Sequence, residues 1–217
     1  MDPKPQPEPA TPGAARPGGR TARTRERVLA GVAALLLDSG YEALTVDNVA
    51  ARSGVHRTTV YRRWRDPGGL LADTLDAARD QPWEPPDTGS LVGDLTEINR
   101  QVVEALTGRP SLTQALIAAS FRSSAAAHAL QSFWEDRYAR TAVVVHRAVA
   151  RGEAGAGIDA RTVIVATCAP VFHELTLTRT PPPADIAERY ARIAAAAATC
   201  PWATAPAETG DHVCIPR

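Results

Sequence analysis

The sequence predicts an all-α fold, and three observations carry that reading. Ala, Leu, Arg and Glu dominate while β-branched and aromatic residues come mostly singly, so intrinsic preference leans to helix. Apolar residues recur at three- and four-residue spacing along most of the chain, the signature of a helix with one buried stripe. Proline and glycine gather in short breaks between those runs. At 217 residues, 44% of them hydrophobic, the chain is long enough to bury a sizeable core.

Residues 1–19 hold six prolines and three glycines and no periodic apolar set, so they read as a disordered tail that cannot offset the entropy of ordering. Val28, Leu29, Val32, Leu35 and Leu36 form the first apolar stripe, which predicts a helix from about Thr24 that stops at Gly40. Thr45 caps a second, short helix through Arg52, with Val46, Val49 and Ala50 turned inward. Ser53 and Gly54 break it, and a third helix follows from His56 to Trp64. Two short helices joined by a tight glycine-containing turn make a helix-turn-helix. Asp66 and Pro67 open a fourth helix, since Asp caps free N–H groups and Pro is tolerated at the first helical position.

The proline-rich break QPWEPPDTGS, residues 81–90, separates this module from a larger helical body. Helical spacing then runs from Leu91 to Leu106, Leu112 to Phe121, Ser124 to Arg151, Arg161 to Arg179 and Ala184 to Thr199. Pro170 falls inside the fourth of these runs and should kink or split it, opening space beside Phe172 and His173. The division expected is a tail at 1–19, a helix-turn-helix domain at 20–66, a larger helical domain at 67–202, and a C-terminal tail at 203–217.

Formal net charge is zero, but its distribution is uneven. Between Arg20 and Arg65 nine arginines face four acids, an asymmetry that suggests one module meets an anion. Cys168, Cys200 and Cys214 are widely spaced and form no CxxC pair, which supports neither a zinc site nor a disulfide framework. The N-terminus lacks an apolar signal core and no run approaches the length that spans a bilayer. The chain therefore reads as cytoplasmic, with no membrane partner.

The helix beginning GVHRTTVYRRW carries three arginines, a histidine, two threonines and a tyrosine, with only Val55, Val60 and Trp64 clearly apolar. Such a helix suits DNA, because long polar side chains reach base edges and phosphates while a few apolar residues hold the helix to its module. Arg57 and Thr58 are placed on bases, and Thr59, Tyr61 and Arg63 nearer phosphates, with Arg62 also outward. The run carries no Glu or Asp at i±4 to compensate its arginines. Thr45 is a helix cap whose N-terminus can additionally receive a phosphate, and His56 can reach one when protonated. Arg20, Arg23 and Arg25 are either plain solvated charges or an arm toward a minor groove or backbone.

The stretch GYEALTVDNVAARSGVHRTTVYRRW, with the following DPGGLL, resembles the TetR (tetracycline-repressor) family of bacterial transcription regulators over about Arg23 to Ala78. The Gly-aromatic pair, the Thr-Val opening, the Ala-x-x-Ser-Gly-Val turn and the Thr-x-Tyr of the third helix carry the match. The resemblance implies a homodimer on a palindromic double-stranded operator, a dimer interface from the last two long helices, and a ligand pocket in the body for a small apolar or aromatic effector. Two positions depart from the family pattern: His56 stands where a Ser cap is common, and Asp66, Pro67 and Gly68 stand in place of Ser-Lys-Glu, removing a phosphate-holding lysine.

Within the body, Phe121, His128, Phe133, Trp134 and Tyr138 form one aromatic group and Phe172 with His173 another; each is either a pocket lining or ordinary core. Val163, Val171, Leu175, Ile186, Tyr190 and Ile193 are equally open between interface and core. Catalysis has no support: HELTL lacks the second His of a zinc-protease motif, GEAGAG lacks a preceding strand and GxGxxG spacing, and no nucleophile-elbow motif is present. No cofactor, metal or catalytic residue is expected. The remaining choice is an effector-released repressor or a regulator whose body only dimerises or meets other proteins.

Overall fold

The computed structural model describes residues 19–200, and every regular element among them is helical. What the sequence predicts for residues 1–18 and 201–217 lies outside the described residues. The elements are α1 (Gly19–Ser39), α2 (Val46–Ser53), α3 (Arg57–Trp64), α4 (Pro67–Arg79), α5 (Leu91–Thr107), α6 (Leu112–Ser120), α7 (Ser124–Ala150), α8 (Ala160–Phe172) and α9 (Ile186–Ala198).

Most helices start where a short polar side chain satisfies their free N–H groups. Thr45, Asp66, Ser90, Ser111, Ser123 and Asp159 each accept from the backbone N–H three residues on. The first helix differs from expectation by starting at Gly19, well before the apolar stripe. Its buried residues begin only at Val28, so its first two turns stand clear of the core. Gly54 ends α2 in the left-handed conformation (φ 62, ψ 27), which costs glycine nothing.

Two main cores hold the chain. The first joins Val28 and Val32 of α1, Val46 and Val49 of α2, Val60 and Trp64 of α3, and Leu70, Leu71 and Leu75 of α4, and it extends to Leu116 of α6 and Ala126 of α7. Packing is therefore continuous from α3 into α4 and on to α7. The second joins Leu91, Leu95 and Ile98 of α5 to Val144, Val145 and Ala148 of α7, Ile164 of α8 and Ala191 and Ala194 of α9. Long α7 thus belongs to both, its first half beside α4 and its second half in the body.

The segment between α4 and α5 is fastened to α7 by arginines. Arg140 donates to the Arg79 carbonyl (3.1 Å), Arg137 lies 4.1 Å from the Trp83 ring centroid, and Arg147 donates to the Pro86 carbonyl (3.0 Å). Arg151 stands 3.9 Å from Asp94, which is fully buried and accepts from the Thr88 N–H and hydroxyl. Burial, followed by repulsion from Arg140, lowers the Arg137 pKa from its ordinary value.

Pro170 does not split α8. The helix runs on to Phe172, and its hydrogen bonding then widens into a π turn over His173–Leu177. Proline removes one N–H from the ladder, and the backbone accommodates the loss just downstream rather than at the ring itself. Val163, Val171, Leu175 and Ile186 are buried and belong to the core, whereas Ile193 is 59% exposed. Among the described residues no helix is long and apolar enough to cross a membrane.

Candidate nucleic-acid interface

Three elements build the outer face of the N-terminal module. Thr45 has extended backbone and accepts from the Asn48 N–H (3.1 Å), while the Asn48 amide donates to the Ala43 carbonyl (2.8 Å). The start of α2 is therefore fixed from both sides. The turn to α3 is held by Arg27 of α1, whose Nη2 donates to the carbonyls of Ser53 (2.7 Å) and Gly54 (2.8 Å). Val55 tucks into the core directly after it.

Val60 and Trp64, with Val55, hold α3 to the module as the sequence suggests. Arg57, Thr58, Tyr61, Arg62 and Arg63 are exposed and Thr59 is half-buried. His56 precedes α3 without capping it by its side chain; instead Nδ1 lies 2.9 Å from the Thr58 hydroxyl. The arginines are not free of acids, because compensation comes through the fold rather than along the helix. Arg57 pairs with Asp47 of α2 (2.7 Å), and Arg63 lies 4.0 Å from Asp73 of α4.

Between the first turns of α1 and the outer side of α3 lies an open cleft of about 790 Å³. Arg20, Thr21, Thr24 and Arg27 line it from α1; His56, Thr59, Arg62 and Arg63 line it from α3. Its lining holds four arginines and no acid, which gives the surface a positive field. The sequence singles out His56, Thr59, Arg62 and Arg63 for their polarity and leaves Arg20 open as an arm, but Thr21, Thr24 and Arg27 carry no signal, since nothing in local spacing shows that α1 passes beside α3.

Arg25 goes elsewhere. Its guanidinium makes a two-pronged contact with Asp73, Nη2 at 2.6 Å and Nε at 2.9 Å from Oδ1, and the Trp64 indole Nε1 donates to Oδ2 at 2.7 Å. Asp73 thereby ties α1 and α3 to α4. Burial pushes its carboxyl up, but the hydrogen bonds from Arg25 and Trp64 and the nearby Arg63 outweigh that and hold it below the ordinary range. The hydrogen bond to Asp73 raises Arg25 in turn. Arg25 is thus a strut, neither a solvated charge nor an arm toward DNA.

Of the departures after α3, Gly68 has a packing reason, and so has the neighbouring Gly69. A Cβ at Gly69 would lie 2.5 Å from the Trp64 carbonyl oxygen, and one at Gly68 would lie 2.9 Å from the Ala125 Cβ of α7. The first turn of α4 is pressed between α3 and α7, where any larger residue meets backbone or a neighbouring helix.

In the body, Trp134 is the centre of an aromatic group: Phe133 and Phe172 meet it edge-on, each at 5.3 Å, and Tyr138 stacks at 6.1 Å. Burial raises the Tyr138 pKa, and it pushes the neighbouring Cys168 thiol up to about 12, far from a reactive thiolate. Phe121 is 82% exposed. His128 is exposed and its ring meets the Ser124 carbonyl, and His173 is exposed at the π turn. The structure gathers Phe133, Trp134, Tyr138 and Phe172 and leaves those three outside. Glu174 takes a hydrogen bond from Tyr190, and no cluster of metal-ligating side chains occurs among the described residues.

Comparison with known proteins agrees with this geometry. Residues 28–74 match the profile of bacterial regulatory proteins of the tetR family, and residues 85–194 match the tetracyclin repressor-like C-terminal domain. The DNA-binding transcriptional repressor TetR of Mycobacteroides abscessus is 34% identical over 161 residues, covering 71% of this chain and 83% of that protein. The regulator AqdR of Rhodococcus erythropolis is 31% identical over 151 residues, 67% of this chain and 71% of that one. Among solved structures, GusR of Salmonella enterica superposes with a TM-score of 0.68 at 18% identity, covering 86% of this chain and 98% of that one. A polar helix seated by three apolar residues in a helix-turn-helix, with both profiles matched in order, places the chain in the TetR family of DNA-binding transcriptional regulators rather than among enzymes.

Proposed function

We propose that the chain is a repressor that binds a palindromic operator as a homodimer and is released by a small apolar or aromatic effector. The observation that carries the DNA side is the acid-free cleft between α1 and α3. It can seat one sugar-phosphate strand while Arg57 and Thr58 face the groove and Tyr61 stands nearer the phosphates. Thr45, His56, Thr59, Arg62 and Arg63 then supply phosphate contacts around it. The similar protein of Mycobacteroides abscessus is named a repressor, which supports that sign of regulation.

One helix-turn-helix reads one half-site, so two-fold symmetry is the expected solution. The outer face of α8 and α9 suits it. Ala166, Ala169 and Ala196 are exposed beside Ile193, small residues that let paired helices approach closely.

The effector side rests on the group around Trp134, where α7 meets α8 through Phe172. An apolar ligand entering between these rings displaces α7, and α7 packs on α4 through the Gly68–Ala125 contact. Release follows only from a ligand that binds the displaced state more tightly.

Selection of bound sequences from random DNA tests the reading: a palindrome with half-sites one helical turn apart is expected, and an asymmetric or absent consensus refutes it. For the effector, quenching of Trp134 fluorescence, assigned with Trp134→Phe, should accompany loss of operator affinity. A compound that binds there and leaves operator affinity unchanged refutes release.

A further inference from the structure

We propose that Asp47 is a positioning residue for base reading by Arg57, and so sets sequence discrimination without itself contacting a base. The inference rests on the proposed placing of Arg57 in the groove. Asp47 lies in the first turn of α2 and Arg57 is the first residue of α3. The turn between the helices brings Asp47 Oδ1 to 2.7 Å from Arg57 Nε. One helical turn further on, the Tyr61 ring lies with its centroid 5.2 Å from the centre of the Arg57 guanidinium. The side edge of the guanidinium is thus held by a carboxylate and it also packs against a ring.

What remains is the far end. The Arg57 side chain is 62% exposed, and with the Asp47 carboxylate paired beside Nε its two terminal nitrogens are left as the outward edge. That edge is the pair of donors that matches guanine O6 and N7. A free arginine loses considerable rotamer freedom when it docks, so a side chain already held loses less, and wrong orientations are excluded before DNA arrives.

The exposure of the pair argues against a role in folding. Asp47 is 51% exposed, and ion pairs so placed contribute little to stability. An acid on a face that meets phosphates also weakens binding to any DNA. Its presence there is explained by discrimination, which it improves through Arg57, and not by affinity, which it lowers. Arg27 performs a comparable service for the turn, holding the Ser53 and Gly54 carbonyls between the two helices, so both ends of the Asp47–Arg57 bridge are mounted on a fixed frame.

The test uses the full chain and the sequence it selects from random DNA. Guanines in a half-site are replaced one at a time by 7-deazaguanine, which lacks the N7 acceptor, and the position sensitive in the parent and insensitive in Arg57→Ala is taken. Asp47→Ala should lower the ratio of specific to random affinity about three- to tenfold, with random-DNA affinity unchanged or higher, and should shrink the 7-deazaguanine penalty. Asp47→Asn, which keeps an acceptor, should recover part of the ratio. Asp47→Ala in the Arg57→Ala background should change the ratio no further. Thermal melting of Asp47→Ala close to the parent shows that the module is folded. An equal rise of both affinities with the ratio kept overturns the inference while leaving base reading by Arg57 intact. A ratio unchanged by Arg57→Ala overturns base reading by Arg57, and the inference with it.

Discussion

Trp64 and Asp73 hold each other across the joint between α3 and α4: the indole Nε1, on a ring 5% exposed, donates to Oδ2 at 2.7 Å. The same carboxylate receives Arg25 from α1. One acid therefore sets the angle of the DNA-reading helix against two others. Asp73→Ala leaves a buried indole N–H without a partner and Arg25 without its anion, and should cost about 2–4 kcal/mol at neutral pH, read from urea unfolding. The depressed folded pKa of Asp73 fixes the sign with pH. Its contribution is complete above the ordinary unfolded value and is lost as pH falls through the lower folded value. The difference between parent and Asp73→Asn should shrink in acid below about pH 4.

Gly69→Ala should destabilise the chain by about 1–3 kcal/mol, because the new Cβ would lie 2.5 Å from the Trp64 carbonyl oxygen, a backbone atom that cannot swing away. Gly54→Ala should cost about 1 kcal/mol or more through its left-handed backbone. Urea midpoints compare the two, and equal stability of parent and Gly69→Ala contradicts the close approach.

On DNA, Arg57→Ala and Arg62→Ala should fail differently. Arg57→Ala should cost about 1–3 kcal/mol on the selected site and relax its consensus. Arg62→Ala, removing a cleft arginine, should weaken selected and random DNA alike and reduce the slope of log affinity against log salt by about one. Titrations at several salt concentrations separate the two patterns.

Arg137→Ala should free the segment between α4 and α5. Its guanidinium lies between the Trp83 and Phe133 rings, at 4.1 and 5.4 Å, a contact worth about 0.5–2 kcal/mol. Limited proteolysis should cut within residues 80–90 faster than in the parent, with the DNA-binding module still folded.

Much of the fold was legible because its signals are local. Thr45 and Asp66 announce helices that begin at the next residue, and Val28 to Leu36 show their stripe at helical spacing. The start of α1 was not legible, since its first two turns bury nothing for periodicity to detect. Nor was the role of Arg25, whose partner Asp73 is 48 positions distant. The exposed face of α3 could be read from its polarity, but its acids could not. Asp47 and Asp73 reach Arg57 and Arg63 from other helices. In the body, Trp134 and Tyr138 stack at the four-residue spacing of one helix, whereas Phe172 arrives from another and Phe121 and His128 turn outward. Composition treats these aromatics as one group, and only the crossing of α7 and α8 sorts them.

The fastening of residues 79–94 to α7 makes the length of that stretch a constraint in its own right. Trp83 meets Arg137 and Pro86 meets Arg147, so three residues of chain keep pace with ten residues of helix. The helix rises about 15 Å over that interval, while three extended residues span at most about 11 Å, and arginine reach must supply the remainder. Both ends of that short stretch are thus anchored on one helix. Removing one residue between Trp83 and Pro86 takes about 3.5 Å of reach from a connection that the arginines already help to complete, whereas an added residue can loop outward, so shortening and lengthening by the same amount are not equivalent changes. The same helix also holds the end of α4, through Arg140 and the Arg79 carbonyl, so three successive points of the connection are tied to α7 and move with it.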